Sequence, residues 1–235
     1  MINLRSRSYQ KELLDSDNIP FADIRQNMKE LNSINTLLGG HAISEKGLKL
    51  IMGHHSTGQP LTICEIGCGG GDNLVALAKW CSKKNIDVNF IGIDIKPACI
   101  EYAKQQCSAL KAKWITNDYL EISFQFAKPD IVFCSLFCHH FSEADLSVML
   151  QWMKENCTKG FFINDLHRHP LAYYSIKLIT RIFSTSYLVK NDAPLSVARG
   201  FTKTEWQYIF KTAGIQQYTL SWQWAFRHLI IYCNE

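Results

Sequence analysis

A run of apolar residues, Leu61-Thr62-Ile63-Cys64-Glu65-Ile66, passes through Gly67-Cys68-Gly69-Gly70-Gly71 straight into a helix-like pattern that opens at Asp72. A strand that turns into a helix within so few residues needs positive φ, which glycine adopts without penalty. The helix then presents free N–H groups to whatever lies above the turn. The loop therefore predicts a parallel strand, a crossover helix and a ligand crevice outside the strand's carboxyl end. Glycine spacing alone does not say which ligand.

Downstream the same rhythm repeats. Strand-like runs at 88–94, 112–117, 129–135 and 160–165 alternate with helix-like segments that open at Asp72, Pro97 and Ser142. Pro97 suits a first helical position and Ser142 an N-cap. Several runs are apolar throughout, as expected of strands covered on both faces. The fold class is thus α/β, a Rossmann-like sheet that is mostly parallel, with helices on both faces. Before it, Phe21, Ile24, Met28, Leu31, Ile34 and Leu38 recur at helical spacing and stop at Gly39-Gly40. A second short helix is expected after Ser44, and a turn over 56–60. These N-terminal helices, residues 1–56, precede a core of 57–235.

Residues 166–200 break the alternation. They read as a helical cap insertion, with an apolar aromatic helix at 171–183 placed to cover a ligand. Next come a capping box at Thr202-Lys203-Thr204-Glu205, a stop at Gly214, and strands at 217–222 and 226–232 close enough to pair as a hairpin.

The acids that follow the glycine loop narrow the ligand. Asp94 closes the second strand, where a carboxylate accepts both hydroxyls of a ribose. The third strand runs into Asn117-Asp118, where a carboxylate can accept from an exocyclic adenine amine. Glu65, Asp94 and Asp118 at successive strand ends would surround a positively charged cofactor and repel a pyrophosphate.

From residue 61 to the C-terminus the chain resembles the class I S-adenosylmethionine-dependent methyltransferases. The resemblance implies a seven-stranded sheet whose last strand is antiparallel, S-adenosyl-L-methionine as cofactor and S-adenosyl-L-homocysteine (SAH) as product. It implies that Glu65 lies near the methionine part, with Gly67, Cys68 and Gly69 approaching by their backbone and Asp72 and Asn73 opening the adjoining helix. Asp94 would take the ribose and Ile95 the adenine edge. Asp118 and Tyr119, after Asn117, would hold the adenine, and Cys134-Ser135-Leu136 would pass beneath the transferable methyl. Within the family the chain is similar to bacterial methyltransferases of polyketide and aromatic secondary metabolism, on residues 31–40, Asp165-Leu166, 192–201 and Phe226-Arg227.

Methyl transfer needs a nucleophile held in line, and a base only where that nucleophile keeps its proton. His139 and His140 follow the fourth strand and are the candidate bases, with packing under the adenosine as their other role. His167, in the polar cluster Asp165-His167-Arg168-His169, can replace or assist them. Neither His54-His55 nor His167-Arg168-His169 has a zinc-like spacing, so no metal is expected. The cap aromatics Tyr173, Tyr174, Phe183 and Tyr187 suit a compact apolar acceptor, methylated at a phenolic or enolic oxygen, with a carbon of a quinone-like acceptor next.

A formal net charge of +4 without a basic run, and Ser135-Leu136-Phe137-Cys138 where an Asn/Asp-Pro-Pro-aromatic grip would stand, argue against nucleic acid. An NAD-dependent oxidoreductase would share the glycine loop but not Glu65, and an inactive binding subunit would have no need of intact cofactor residues. Nine cysteines, odd in number and without CxxC spacing, read as buried reduced thiols. With no signal-like or membrane-spanning apolar run, a cytoplasmic monomer or homodimer is expected.

Overall fold

A computed structural model describes residues 3–16, 18–53, 60–124 and 127–234. The expected turn at 56–60, Pro60 apart, and His54-His55 lie outside the described residues. One seven-stranded sheet runs through the molecule: β1 (Leu61–Ile66), β2 (Val88–Asp94), β3 (Ala112–Thr116), β4 (Ile131–Ser135), β5 (Gly160–Leu166), β6 (Thr219–Gln223) and β7 (Arg227–Cys233). Their order is β3-β2-β1-β4-β5-β7-β6. β1 to β5 pair in parallel and β7 runs antiparallel to both neighbours, as the resemblance implied.

Helices α1 (Phe21–Leu37), α2 (Gly40–Met52), α3 (Asp72–Lys83), α4 (Pro97–Gln106), α5 (Glu143–Glu155), α6 (Pro170–Phe183), α7 (Tyr187–Arg199) and α8 (Lys203–Thr212) surround it. Alternate residues along each central strand face opposite layers. Val132, Phe161 and Ile163 join Leu146, Met149 and Trp206 of α5 and α8 on one side. On the other, Phe133, Phe162 and Ile63 meet Leu48 of α2 and Leu74 and Leu77 of α3. Burial on both faces is why Ile131–Cys134 and Gly160–Ile163 are apolar without alternation.

Local signals hold where chemistry forces them. Pro97 occupies the first turn of α4, and Ser142 and Thr202 close reciprocal capping boxes at the starts of α5 and α8. Three expectations need correction. α2 begins at Gly40 instead of after Ser44, because Gly39 at φ +74° redirects the chain within one residue. α7 was not singled out, since within the helical cap at 166–200 only 171–183 read as a distinct helix. It forms because buried Asp192 accepts the backbone N–H groups of Leu13 and Leu14 at 2.8 and 2.9 Å, and its apolar residues pack. Eight of the nine cysteines are buried and all are free, but Cys233 is exposed at the end of β7.

No helix among the described residues is long and apolar enough to cross a membrane.

Candidate functional site

A cavity of about 740 Å³ opens at the carboxyl ends of the central strands, roofed by α1, α6, α7 and the β6–β7 turn. Its size falls within the range of small-molecule sites, roughly 300 to 1,000 Å³.

The glycine loop forms one end. Gly67, Gly69 and Gly71 take φ of +65°, +50° and +80°. A Cβ on Gly67 would fall 2.1 Å from the Phe137 ring, so only glycine fits there. Asp94 fixes the loop by accepting the Gly69 N–H at 2.9 Å and the Lys96 N–H at 2.9 Å. Each of its oxygens keeps acceptor capacity toward the cavity.

Glu65 is 1% exposed; its Oε1 accepts from Asn73 Nδ2 at 3.2 Å, while buried Oε2 has no partner among the described residues. Asn73 Oδ1 in turn meets His41 Nδ1 at 3.0 Å and accepts from Ser44 Oγ at 3.1 Å, which ties the start of α3 to α2. Burial raises the Glu65 carboxyl well above the usual range, with Asp72 and Asp94 adding to it. Burial likewise lifts Asp72 to about 6. A buried carboxylate lacking a partner is a place for a cationic group, and the free amine of an aminoacyl ligand meets that need.

The opposite end is built around Asp165, fully buried at the end of β5. It accepts N–H groups of Phe137 (3.1 Å), Cys138 (2.7 Å) and Leu166 (2.7 Å), and His139 Nδ1 donates to it at 2.8 Å. Burial by itself would raise its pKa, but His139 and these donors outweigh burial and hold it below the ordinary range. His139 Nε2 points to Glu12 Oε1 at 3.6 Å. His140 stands between Glu12 (Nε2 to Oε2, 3.8 Å) and Asp15 (Nδ1 to Oδ1, 3.2 Å). Ser196 Oγ donates to Glu12 Oε1 at 2.7 Å. Burial raises the Glu12 carboxyl. For Asp15 burial is outweighed by His140 and the Glu12 N–H, which bring it to about 2.

The histidine loop is clamped from behind. Arg7 Nη2 donates to the His139 and Phe141 carbonyls at 2.8 and 2.6 Å, and Arg199 donates to those of His139 and His140 at 3.0 and 2.9 Å.

Of the residues singled out from sequence, Glu65, Gly67, Cys68, Gly69, Asp72, Asn73, Asp94, Ile95, Ser135, His139 and His140 line this one cavity. Asn117, Asp118, Tyr119, Cys134 and His167 are not among its lining residues. Asp118 Oδ1 accepts the Leu120 N–H at 3.0 Å and caps a 3-10 turn. Asn117 Oδ1 accepts the Asp118 N–H. Tyr119 is buried with its ring 5.2 Å from that of Trp152. Cys134 is buried with its Sγ 3.4 Å from Cys138 Sγ, and the His167 ring lies 4.8 Å from that of His228, tilted by 40°.

The cap aromatics also differ from expectation. α6 turns Ala172, Ser175, Ile176 and Ile179 to the cavity, whereas Tyr174, Phe183 and Tyr187 are exposed and Tyr173 packs against α7.

Glu12, Asp15 and Arg227 are all on the cavity wall; sequence reading missed the first two and quoted Arg227 only for the resemblance, without a site role. The first two sit in a short polar segment with no periodicity to announce a role. Sequence spacing predicts no metal, yet Glu12, His139 and His140 bring candidate ligand atoms within 4.8 Å of one another, and these are the residues able to hold a divalent cation.

Residues 63–160 match the family model for a methyltransferase domain. No curated protein matches the sequence. Among solved structures, the plantazolicin methyltransferase BpumL in complex with SAH is similar at a TM-score of 0.68 and 14% identity, over 92% of this chain and 95% of that one. The magnesium protoporphyrin IX methyltransferase ChlM of Synechocystis PCC 6803 with bound SAH gives 0.52 and 14%, over 94% and 90%. The CMeT domain of the citrinin polyketide synthase gives 0.56 and 14%, over 78% and 49%. The fold is that of the class I S-adenosylmethionine-dependent methyltransferases.

Proposed function

We propose that this chain transfers a methyl group from S-adenosyl-L-methionine to a small aromatic or polyketide-like acceptor, at a phenolic or enolic oxygen. The observation that carries this reading is the joining, in one cavity, of the Glu65–Asp94 end to the Asp165–His139–Glu12 end. When bound, the cofactor supplies an electrophilic methyl carbon on a sulfonium.

In this reading Glu65 receives the cofactor's ammonium and Asp94 its ribose hydroxyls, while the backbone of Gly67, Cys68 and Gly69 lies against it. Asp165 holds the His139 ring through Nδ1 and leaves Nε2 toward the cavity. That arrangement fixes the tautomer and suits a group that takes a proton from an acceptor hydroxyl. His140, on the same turn, is the second candidate for that proton, and Glu12 stabilises whichever imidazolium forms. Residues 166–200 act as the cover over the acceptor, with residues 1–56 as a helical segment beside the core at 57–235. The apolar α1 and α6 walls favour a compact, largely apolar acceptor.

Calorimetric titration with SAH and with NAD separates the enzyme classes, and mass spectrometry of a cell extract incubated with methyl-labelled cofactor identifies the acceptor. SAH binding and a labelled small molecule are expected. NAD binding without SAH binding would refute the assignment. Replacing His139 or His140 with Ala should lower turnover by about 10²- to 10⁴-fold at whichever acts as base, with SAH affinity kept. Unchanged turnover in both variants removes the base role.

A further inference from the structure

Arg227 is the feature of this cavity that methyl transfer does not explain. It opens β7, is 3% exposed and lines the cavity wall. Its Nε and Nη1, both shielded from solvent, have no hydrogen-bond partner among the described residues. Asp165, whose field reaches it, is already engaged by His139 and three backbone N–H groups. Beside the guanidinium lies the Asn35 Oδ1, also buried and without a donor. Gly40 lets both groups approach its backbone closely, since a Cβ there would fall 1.7 Å from Asn35 Oδ1 and 2.7 Å from Arg227 Nη1.

A buried guanidinium whose N–H donors lack acceptors is costly, even with the Asp165 charge nearby, and its planar fork matches a carboxylate through two parallel hydrogen bonds. We infer that Arg227 forms a carboxylate subsite and that the acceptor of the proposed reaction is therefore an organic acid. The second possible source is the cofactor's own carboxylate, and position favours the acceptor. In the strand order β1-β4-β5-β7, Arg227 stands three strand spacings, about 14 Å, across the sheet from Glu65, and along β7 it is displaced from Ile231, the residue level with Glu65, where the cofactor's amino-acid part belongs. It is next to Leu166 and Asp165, at the end that holds His139. The other buried charged groups on the cavity wall, Glu12 and Glu65, are acidic. An acid would thus be oriented with its carboxylate toward β7 and the remainder toward the histidines.

The inference rests on the methyltransferase reading, and the test separates the two. Full-length protein saturated with SAH is titrated with a series of aromatic carboxylates, from benzoate and salicylate to longer 4-alkylbenzoates, and with the matching carboxamides. The wild type should bind at least one carboxylate about tenfold or more tightly over its amide, corresponding to about 1.4 kcal/mol. Arg227→Met should abolish that preference and Arg227→Lys retain part of it, with SAH affinity unchanged in both as the sign of an intact fold. Absence of SAH binding by the wild type defeats the methyltransferase reading itself. SAH binding without any carboxylate preference, or a preference that survives in Arg227→Met, overturns only the subsite. If Arg227→Met instead weakens SAH but not methylthioadenosine, which lacks the amino-acid part, the anion belongs to the cofactor and the acceptor assignment fails. Should Arg227→Met not fold, loss of preference in a soluble Arg227→Lys or Arg227→Gln protein decides the matter, and its full retention there overturns the subsite.

Discussion

Glu65 shows how one buried side chain can set both affinity and pH response. Its carboxyl is held high by burial and has one oxygen with no donor. Glu65→Gln keeps the shape and the Asn73 contact but removes the charge, so SAH affinity should fall by about 10- to 100-fold, the scale of a charge-assisted hydrogen bond. Calorimetry measures this, and an affinity within threefold of wild type would contradict it. The sign of the pH effect follows from the same burial. Glu65 and Asp72, the latter at about 6, bind protons more tightly in the folded chain than in the unfolded one. Their contribution to the stability of the unliganded fold is therefore full below their unfolded values and is lost as pH rises from there through their folded values. An ammonium beside Glu65 reverses its share, so the rise in Tm that SAH produces should widen as pH rises above the ordinary carboxylate range. A constant increment as pH rises would count against Glu65 as the amine's partner. Asp15 and Asp165 have depressed values and act oppositely, losing their contribution only in acid.

Among the elements, the N-terminal segment carries more of the site than its composition suggests. Residues 3–16 bring Arg7, Glu12 and Asp15 to the histidine loop, and α7 holds them through Asp192 and Arg199. Deleting residues 1–16 should leave SAH binding detectable, because the glycine loop and Glu65 lie elsewhere, while turnover falls by at least about a hundredfold as the histidines lose Glu12 and the Arg7 clamp. Undiminished turnover in the truncated protein would show the segment to be dispensable. On α8 the effect is purely structural. Thr202→Ala breaks the cap to the Glu205 N–H at 3.3 Å and should cost about 1 kcal/mol, read from denaturant midpoints, with SAH affinity unaltered.

For the molecule as a whole, the division between what sequence determined and what tertiary structure decided has a physical cause. Strand-to-helix alternation, the glycine loop, the caps at Ser142 and Thr202 and the closing hairpin were legible because each depends on residues adjacent in the chain: positive φ, a side chain reaching its own backbone, or period-two burial. So were Glu65 and Asp94, whose positions follow from ending their strands. α7 was not legible, because its stability comes from Asp192 meeting residues far away in the chain and not from its own periodicity. Asp118 and Tyr119 follow the third strand as read, but their contacts, a local cap and an edge-on aromatic pair with Trp152, depend on the packed structure. Glu12, Asp15 and Arg227 reach the cavity only when the N-terminal segment and the last strand converge on the histidine loop, and burial then gives them their electrostatic character. Local stereochemistry wrote the glycine-loop end of the cavity into the sequence; the surroundings of the histidine loop exist only through contacts between distant segments.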